Sequence, residues 1–164
     1  MFPQFKTILV ATDFSHTSEH ALEYAQALAR SLGGTLHLLH VVPDPVLASA
    51  WSEAYAYDLT ALGERLRREA AQQLAERAQS IRDVAVTTEA IIGSPATLIS
   101  VTAAERAADL IVMGTHGRSG LSHLFLGSVA ERVVRTAPCP VLTMREPASE
   151  KDRVHLAEVR IAMA

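Results

Sequence analysis

The sequence predicts an α/β fold, an open five-stranded parallel sheet with helices on both faces. Short apolar runs such as Ile8–Val10 and Leu110–Met113 alternate with stretches whose apolar residues recur at helical spacing. Near-continuous apolar strands that alternate with helices are typical of a parallel sheet, because each right-handed crossover lays a helix against the sheet. The length of 164 residues suits one compact domain.

The first half of the predicted sheet comes from two strands and the helix between them. The first strand lies around Ile8–Val10, and the helix that follows has its last apolar residue at Leu32. Gly33 and Gly34 then provide a stop signal for this helix. The second strand covers roughly Thr35–Val42, where β-forming residues are concentrated.

The second half begins after an irregular stretch that contains Trp51. Helical spacing returns at Leu59 and continues to Leu74, and the segment VAVTTEAII forms the third strand. Ser94 as N-cap and Pro95 at the first helical position mark the start of the third helix. The remaining elements are the fourth strand DLIVMG, the fourth helix GSVAERVVRTA and the fifth strand PVLTM.

Composition excludes several classes of protein. A hydrophobic fraction of 49% is enough for a hydrophobic core. A net charge of −3 argues against a protein that binds the phosphates of DNA or RNA over a broad surface. Since the chain lacks both a signal-peptide pattern and an apolar run of about 18 residues, we expect no membrane association. Cys139 is the single cysteine and has no internal disulfide partner, which favours a cytoplasmic location.

The segment GTHGRSGLSHLFLGS joins the fourth strand to the fourth helix. Gly114 ends the strand, and a glycine there can take a positive φ and lets the backbone approach a ligand closely. Gly127 and Ser128 stand where the helix begins, and the first amides of a helix suit a phosphate group. If the first and fourth strands are neighbours, Asp13 and Gly114 face one crevice at the carboxyl ends of the strands.

The spacing of Gly114, Gly117 and the pair Gly127-Ser128 resembles the nucleotide-binding signature of the universal stress protein family, ATP-binding branch. The segments VATDFS, with Asp13, HVV and APCPVL also resemble that family, and the resemblance covers roughly residues 5–145. It implies a Rossmann-like fold of the adenine nucleotide alpha hydrolase-like type. With it we predict the strand order 3-2-1-4-5.

The resemblance also implies the residues that bind the nucleotide. Asp13 would bond the ribose, and the backbone of Val41 would read the edge of the adenine. Ala11 stands where some members carry proline, which affects the contact with adenine. Arg118 either touches the γ-phosphate or is a solvated loop residue. The remaining implied positions are Thr12, Met113, Gly114, His116, Gly117, Gly127, Ser128 and Val129.

The implied function is ATP binding by a regulatory protein of the stress response, with ADP or AMP as other ligands and Mg²⁺ beside the phosphates. We predict no catalytic residue, because no side chain stands out as a water-positioning base or as a transition-state arginine, so any hydrolysis is slow. We predict no dedicated metal site on the protein. Two alternatives stay open: a dimeric interaction module without nucleotide, and a slow ATPase.

The resemblance also implies a homodimer through antiparallel pairing of the fifth strand around Val141, Leu142 and Thr143. In the predicted order this strand lies at an edge of the sheet, where exposed backbone groups invite pairing. We assign residues 1–146 to the nucleotide-binding domain. Residues 147–164 form a C-terminal extension of unknown role.

Other motifs are weaker. The string HTSEH matches the H-x-x-E-H pattern of some zinc proteases, but we expect His16 to precede the helix that holds His20, and no third ligand is evident. We expect His37 and His40 either to point to opposite sides of their strand or to lie at the strand end. The P-loop pattern G-x-x-x-x-G-K-[ST] does not occur in the sequence.

Overall fold

The computed structural model describes residues 5–45, 56–115 and 127–145. They form one five-stranded parallel sheet in the order β3-β2-β1-β4-β5, which confirms the predicted fold and strand order. The predictions about Trp51 and the C-terminal extension lie outside the described residues. The elements, in chain order, are β1 Thr7–Ala11, α1 His16–Leu32, β2 Thr35–Pro43, α2 Ala56–Ser80, β3 Val86–Gly93, α3 Pro95–Glu105, β4 Leu110–Gly114, α4 Ser128–Thr136 and β5 Val141–Met144.

Strand β1 lies at the centre of the sheet and pairs in parallel with β2 and β4. Val10 is opposite Leu38 on one side and Val112 on the other. The chain therefore moves outward in one direction from β1 to β3, and in the other direction from β4 to β5. The expected neighbourhood of β1 and β4 is confirmed, and their carboxyl ends form the switch point of the sheet.

Two apolar layers cover the two faces of the sheet. Ile8 and Leu38 belong to the layer beneath α1 and α2, and Leu9 and Ile111 belong to the layer beneath α3 and α4. All four side chains are fully buried. Burial of one such side chain contributes about 1.5–3 kcal/mol, so the two layers hold the strand ends in fixed positions.

Helix α1 begins one residue after Ser15, whose hydroxyl accepts a hydrogen bond from the Ser18 amide at 3.3 Å. The expectation that His16 precedes the helix is therefore wrong, because Ser15 acts as the N-cap and makes His16 the first helical residue. At the other end Gly33 adopts a left-handed conformation with φ 66°, and its amide donates to the Ala29 carbonyl. The predicted stop is confirmed.

Helix α2 begins at Ala56, three residues before the predicted start at Leu59. The apolar spacing begins only at Leu59, so the sequence pattern places the residues before it in the irregular stretch. Ala70 and Leu74 are buried on its inner face. Across the described parts of the chain, no helix combines the length and the apolar character that crossing a membrane requires.

Helix α3 begins at Pro95 with Ser94 at the N-cap position, as predicted. The Ser94 hydroxyl does not cap a backbone amide of the helix. It lies 3.2 Å from the hydroxyl of Thr97, which donates to it. The position of the cap therefore followed from the residue types, whereas its hydrogen bond did not.

Candidate functional site

A cavity of about 590 Å³ lies at the carboxyl ends of the strands, at the switch point between β1 and β4. Its walls are the ends of β1, β2 and β4, the first turns of α3 and α4, and one face of α2. The volume falls within the range of about 300–1,000 Å³ that is typical of small-molecule sites. We call this space the switch-point cavity.

All nine described members of the predicted site line the switch-point cavity. They come from four separate parts of the chain, which the parallel sheet brings to one edge. The other three predicted residues, His116, Gly117 and Arg118, lie outside the described residues. The nine are Ala11, Thr12, Asp13, Val41, Met113, Gly114, Gly127, Ser128 and Val129.

The turn between β1 and α1 holds Asp13 at the cavity wall. The Asp13 Oδ1 atom accepts hydrogen bonds from the Ser15 amide at 3.1 Å and from the Ser15 hydroxyl at 2.6 Å. Asp13 is half-buried and lines the cavity. A carboxylate in such a place suits hydroxyl groups as ligands and repels phosphate.

Phe14, the next residue, has a positive φ of 64°. This conformation is uncommon for a residue with a large side chain and needs support from its surroundings. One support is the hydrogen bond from the Phe14 amide to the Thr12 hydroxyl at 3.0 Å. The Thr12 hydroxyl is also 3.0 Å from the hydroxyl of Ser18, which is buried in the first turn of α1.

A stack of three side chains supports the same turn from the α2 side. The His40 ring stacks on the Phe14 ring with centroids 4.5 Å apart and an interplanar angle of 20°. The guanidinium carbon of Arg77 lies 4.5 Å from the Phe14 centroid, and Arg77 Nε bonds Glu19 at 2.6 Å. His40 Nδ1 lies 2.7 Å from the Thr12 carbonyl oxygen. Since that oxygen can only accept, Nδ1 carries a hydrogen.

The sequence reasoning missed this stack and the wall that α2 contributes. Leu66, Ala70 and Gln73 line the switch-point cavity from α2, and Phe14 and His40 line it from the β1–α1 turn and β2. Helical spacing relates the three α2 residues and could have marked them as one face. Nothing in the spacing indicates that this face meets the end of a sheet.

His37 lies on the opposite face of β2 from His40, as predicted. Its Nδ1 is 2.8 Å from the Thr87 hydroxyl, and its Nε2 is 3.1 Å from Glu89, which also pairs with Arg106 at 2.7 Å. Burial lowers the pKa of His37, and the positive charge of Arg106 lowers it further, while Glu89 raises it. The ring is therefore held neutral near pH 7, away from the cavity.

Helix α4 directs its amino end into the cavity. Gly127 is the N-cap, and its amide donates to the Thr115 carbonyl at 2.8 Å. The first amide to close the helix is that of Glu131, which donates to the Gly127 carbonyl at 2.9 Å. The amides of residues Ser128–Ala130 precede it and have no partner within the helix, and these three residues line the cavity.

The two described glycines of the loop do not owe their place to a left-handed backbone. Among described glycines, positive φ angles occur at Gly33 and Gly93, and Gly127 has φ −59°. Gly114, where a glycine could take a positive φ, does not use that freedom. A glycine without a positive φ differs from other residues by its missing Cβ, which lets other groups approach the backbone closely.

The two histidines of the HTSEH string do lie on one face of α1. The rings of His16 and His20 are in edge-to-face contact with centroids 4.6 Å apart, and His20 Nδ1 lies 3.4 Å from Glu23. Within the described ranges, however, no group of three or more histidine, cysteine, aspartate or glutamate side chains could hold a metal ion. Zinc sites in proteins use three or four protein ligands.

Comparison with known proteins agrees with the fold. The sequence profile of the universal stress protein family matches residues 4–145. A universal stress protein of Methanocaldococcus jannaschii is 34% identical over 148 residues, which cover 89% of this chain and 85% of that protein.

Two solved structures extend the comparison. The hypothetical protein MJ0577 has a TM-score of 0.78 at 30% identity, over 89% of this chain and 99% of that one. A universal stress protein solved in complex with cAMP has a TM-score of 0.56 at 26% identity, over 85% of this chain and 96% of that one. Because the family profile spans most of the sequence, the chain belongs to the universal stress protein family.

Proposed function

We propose that this protein is a regulatory nucleotide-binding protein, that its ligand is ATP, and that Mg²⁺ accompanies the triphosphate. One observation carries the proposal. The nine described residues that the family signature implies line a single cavity, into which the amino end of α4 opens. A relative of 26% identity was solved with cAMP, which supports an adenine nucleotide as the class of ligand.

The phosphates would bind at the amino end of α4. The amides of Ser128–Ala130 and the positive end of the helix dipole attract anions there, and the absence of a side chain at Gly127 leaves room for them. The dipole contributes only about 0.3–1 kcal/mol per exposed charge. A micromolar ligand needs about 8 kcal/mol in total, so contacts with the sugar and the base are also required.

The sugar and the base would bind along the ends of β1 and β2. Asp13, which Ser15 holds at the cavity wall, would accept hydrogen bonds from the ribose hydroxyls. Ala11, Met113 and Ile99 provide apolar surface for the base, and the backbone of Val41 would bond its edge. The loop residues His116, Gly117 and Arg118 complete the proposal on the phosphate side.

Mg²⁺ fits this arrangement as a companion of the phosphates. The ion prefers oxygen ligands in octahedral geometry and keeps several waters. Since the described residues contain no cluster of carboxylates for it, phosphate oxygens and water would supply most of its ligands.

We further propose that the protein is a cytoplasmic homodimer. Among the described strands β5 lies at the edge of the sheet beside β4, so its outer side can pair with a second copy. Val141, Leu142 and Thr143 would form that contact. The single cysteine, Cys139, is free, which accords with a reducing compartment.

The proposed function is tested by titration of ATP, ADP and AMP in a calorimeter, together with mass spectrometry of any nucleotide that co-purifies. We expect ATP to bind with micromolar affinity and to raise the unfolding midpoint. Gly127→Glu places a carboxylate at the phosphate position and should abolish binding. Ala104→Glu adds the same charge on the exposed side of α3 and should leave binding unchanged.

Three outcomes separate the alternatives. No heat and no thermal shift with any nucleotide would favour the interaction module and refute the proposal. Release of inorganic phosphate at several turnovers per minute, lost in Gly127→Glu and kept in Ala104→Glu, would favour an ATPase. Binding with negligible release supports the regulatory protein that we propose.

A further inference from the structure

We propose that His40 is a positioning residue of the nucleotide site, which fixes the β1–α1 turn so that Asp13 meets the hydroxyl groups of the sugar. This inference rests on the proposed function and names a residue that the family signature does not include. His40 is 9% exposed and lines the switch-point cavity, and its Nδ1 is 2.7 Å from the Thr12 carbonyl oxygen.

The first step is the fixation of Thr12 by two successive residues of β2. The Thr12 amide donates to the Leu39 carbonyl at 2.9 Å, and the Thr12 carbonyl accepts from His40. The Leu39 bond continues the pairing of β1 with β2 beyond Ala11. The His40 bond sets the plane of the peptide that joins Thr12 to Asp13, because it fixes the direction of that carbonyl.

The second step is the fixation of Phe14 on the other side of Asp13. Its positive φ of 64° is unfavourable for a phenylalanine, so the turn needs contacts that hold it. The Phe14 ring is stacked on the His40 ring with centroids 4.5 Å apart, and the guanidinium carbon of Arg77 also lies 4.5 Å from the Phe14 centroid. His40 therefore contacts the residues on both sides of Asp13, through a hydrogen bond and through a stack.

The direction of the Asp13 carboxylate matters for the contact with the sugar. A carboxylate that accepts hydrogen bonds from hydroxyl groups discriminates strongly only when its direction is fixed, since a misaligned bond loses most of its strength. Ser15 fixes Oδ1 of Asp13, and His40 fixes the backbone that carries this side chain. Loss of His40 should thus weaken recognition of the sugar before it weakens recognition of the phosphates.

The experiment compares the Kd of ATP with that of 2′,3′-dideoxy-ATP, which lacks both sugar hydroxyls. Because hydrogen bonds to a charged group are worth roughly a tenfold to hundredfold change in affinity, we expect the unmodified protein to prefer ATP at least tenfold. Asp13→Ala should reduce this ratio to about one. His40→Gln, whose amide stands one bond too far from the backbone, should reduce it to less than about threefold.

Two variants serve as controls. In His40→Asn the amide nitrogen lies at the same number of bonds from Cβ as Nδ1, so it can donate to the Thr12 carbonyl and should keep most of the ratio. His37→Asn removes a buried histidine of the same strand on the opposite face. It should destabilise the protein and leave the ratio unchanged.

The outcomes distinguish the inference from the proposed function. If the unmodified protein binds no adenine nucleotide, both fail. If it binds ATP without preference over the dideoxy analogue, or if His40→Gln keeps the ratio, the inference is overturned and the proposed function stands. If His40→Gln does not fold, the NMR chemical shifts of the His40 ring nitrogens in the unmodified protein provide the test. A hydrogen on Nδ1 supports the inference, and a neutral ring with its hydrogen on Nε2 overturns it.

Discussion

The carboxylate of Asp109 lies 2.9 Å from the backbone nitrogen of Thr7 and accepts its hydrogen bond. The same oxygen accepts from the Lys6 amide at 2.8 Å, and the Asp109 amide donates to the Thr7 carbonyl at 2.8 Å. These bonds join the amino ends of β1 and β4. They lie at the opposite end of the sheet from the switch-point cavity, so the pairing of the two strands is secured where no ligand is expected.

Asp109→Ala should destabilise the protein by about 1–3 kcal/mol, because two backbone amides lose an acceptor in a half-buried place. Asp109→Asn keeps an oxygen acceptor and should cost less. Urea unfolding measures both changes, and ATP titration serves as the control. A loss of nucleotide affinity without a loss of stability would contradict the separation of the two ends of the sheet.

His37 predicts how stability depends on pH. Its pKa is lowered in the folded protein, first by burial and then by Arg106, so the unfolded chain takes up a proton at a higher pH than the folded protein does. Stability is therefore complete above the unfolded pKa of about 6.5 and falls as the pH drops through the folded pKa.

His37→Asn tests this dependence, because asparagine does not titrate. Chemical unfolding between pH 7.5 and about 5 should show a smaller loss of stability in the variant than in the unmodified protein. His16 is exposed at the start of α1, and His16→Asn serves as the matched control. Equal slopes in all three proteins would refute the role of His37.

Gly93 closes β3 in a conformation that other residues avoid, with φ 152°. A Cβ at this position would lie 2.6 Å from Cδ1 of Leu98, so Gly93→Ala meets both a strained backbone and a clash. Gly33 has φ 66°, but a Cβ there would meet nothing within 4 Å. We expect Gly33→Ala to cost about 1 kcal/mol and Gly93→Ala clearly more, as measured by thermal unfolding.

If Gly33→Ala cost more stability than Gly93→Ala, this explanation would be contradicted. Both glycines have a positive φ, but only at Gly93 would a Cβ clash with a neighbouring side chain. Gly33→Asn provides a further check. Asparagine tolerates the left-handed conformation, so it should cost less than alanine at the same place.

The loss of stability on substitution of Arg77 should depend on the shape of the side chain that replaces it. The Arg77 guanidinium lies over the Phe14 ring and bonds Glu19, so Arg77→Ala should destabilise the protein by about 1–2 kcal/mol. Arg77→Lys keeps the charge without the flat group and should recover only part of this. Glu19→Gln should keep the geometry of the contact with Arg77 Nε, but with a weaker hydrogen bond because the acceptor is uncharged. If all three variants were as stable as the unmodified protein, the stack would contribute nothing to stability.

The fold could be predicted because its signals are local. The apolar runs of β1 and β4 and the glycines after α1 each indicate an element without reference to the rest of the chain. The nine described site residues were implied by the family resemblance, which rested on the spacing of one loop, on Asp13 and on short segments of three strands. These residues line one cavity because the carboxyl ends of parallel strands meet at one edge of the sheet.

The rest depends on contacts between distant parts of the chain. The positive φ of Phe14 has no signal in the residue type, and it is held by His40 and Arg77, which lie 26 and 63 positions away. The N-cap of α1 is Ser15, whose hydroxyl also donates to Asp13 in the same turn. Neither could be derived from periodicity, which reports only which face of an element is apolar.

The edge strand β5 offers a test of the proposed dimer. The Ile111 amide donates to the Pro140 carbonyl and the Thr115 amide donates to the Met144 carbonyl, so every second residue of β5 bonds β4. In a parallel ladder the residues between them point their backbone groups to the other side. The amide of Thr143 therefore faces outward, where a second copy would pair.

Thr143→Pro removes this outward donor and should convert the dimer to a monomer without loss of the bonds to β4. Light scattering at tens of micromolar protein measures the mass, and urea unfolding measures the stability. Leu142→Pro, which removes an amide that faces β4, is the matched control and should instead destabilise the fold. A monomeric unmodified protein, or a Thr143→Pro variant that dimerises as tightly, would contradict pairing through β5.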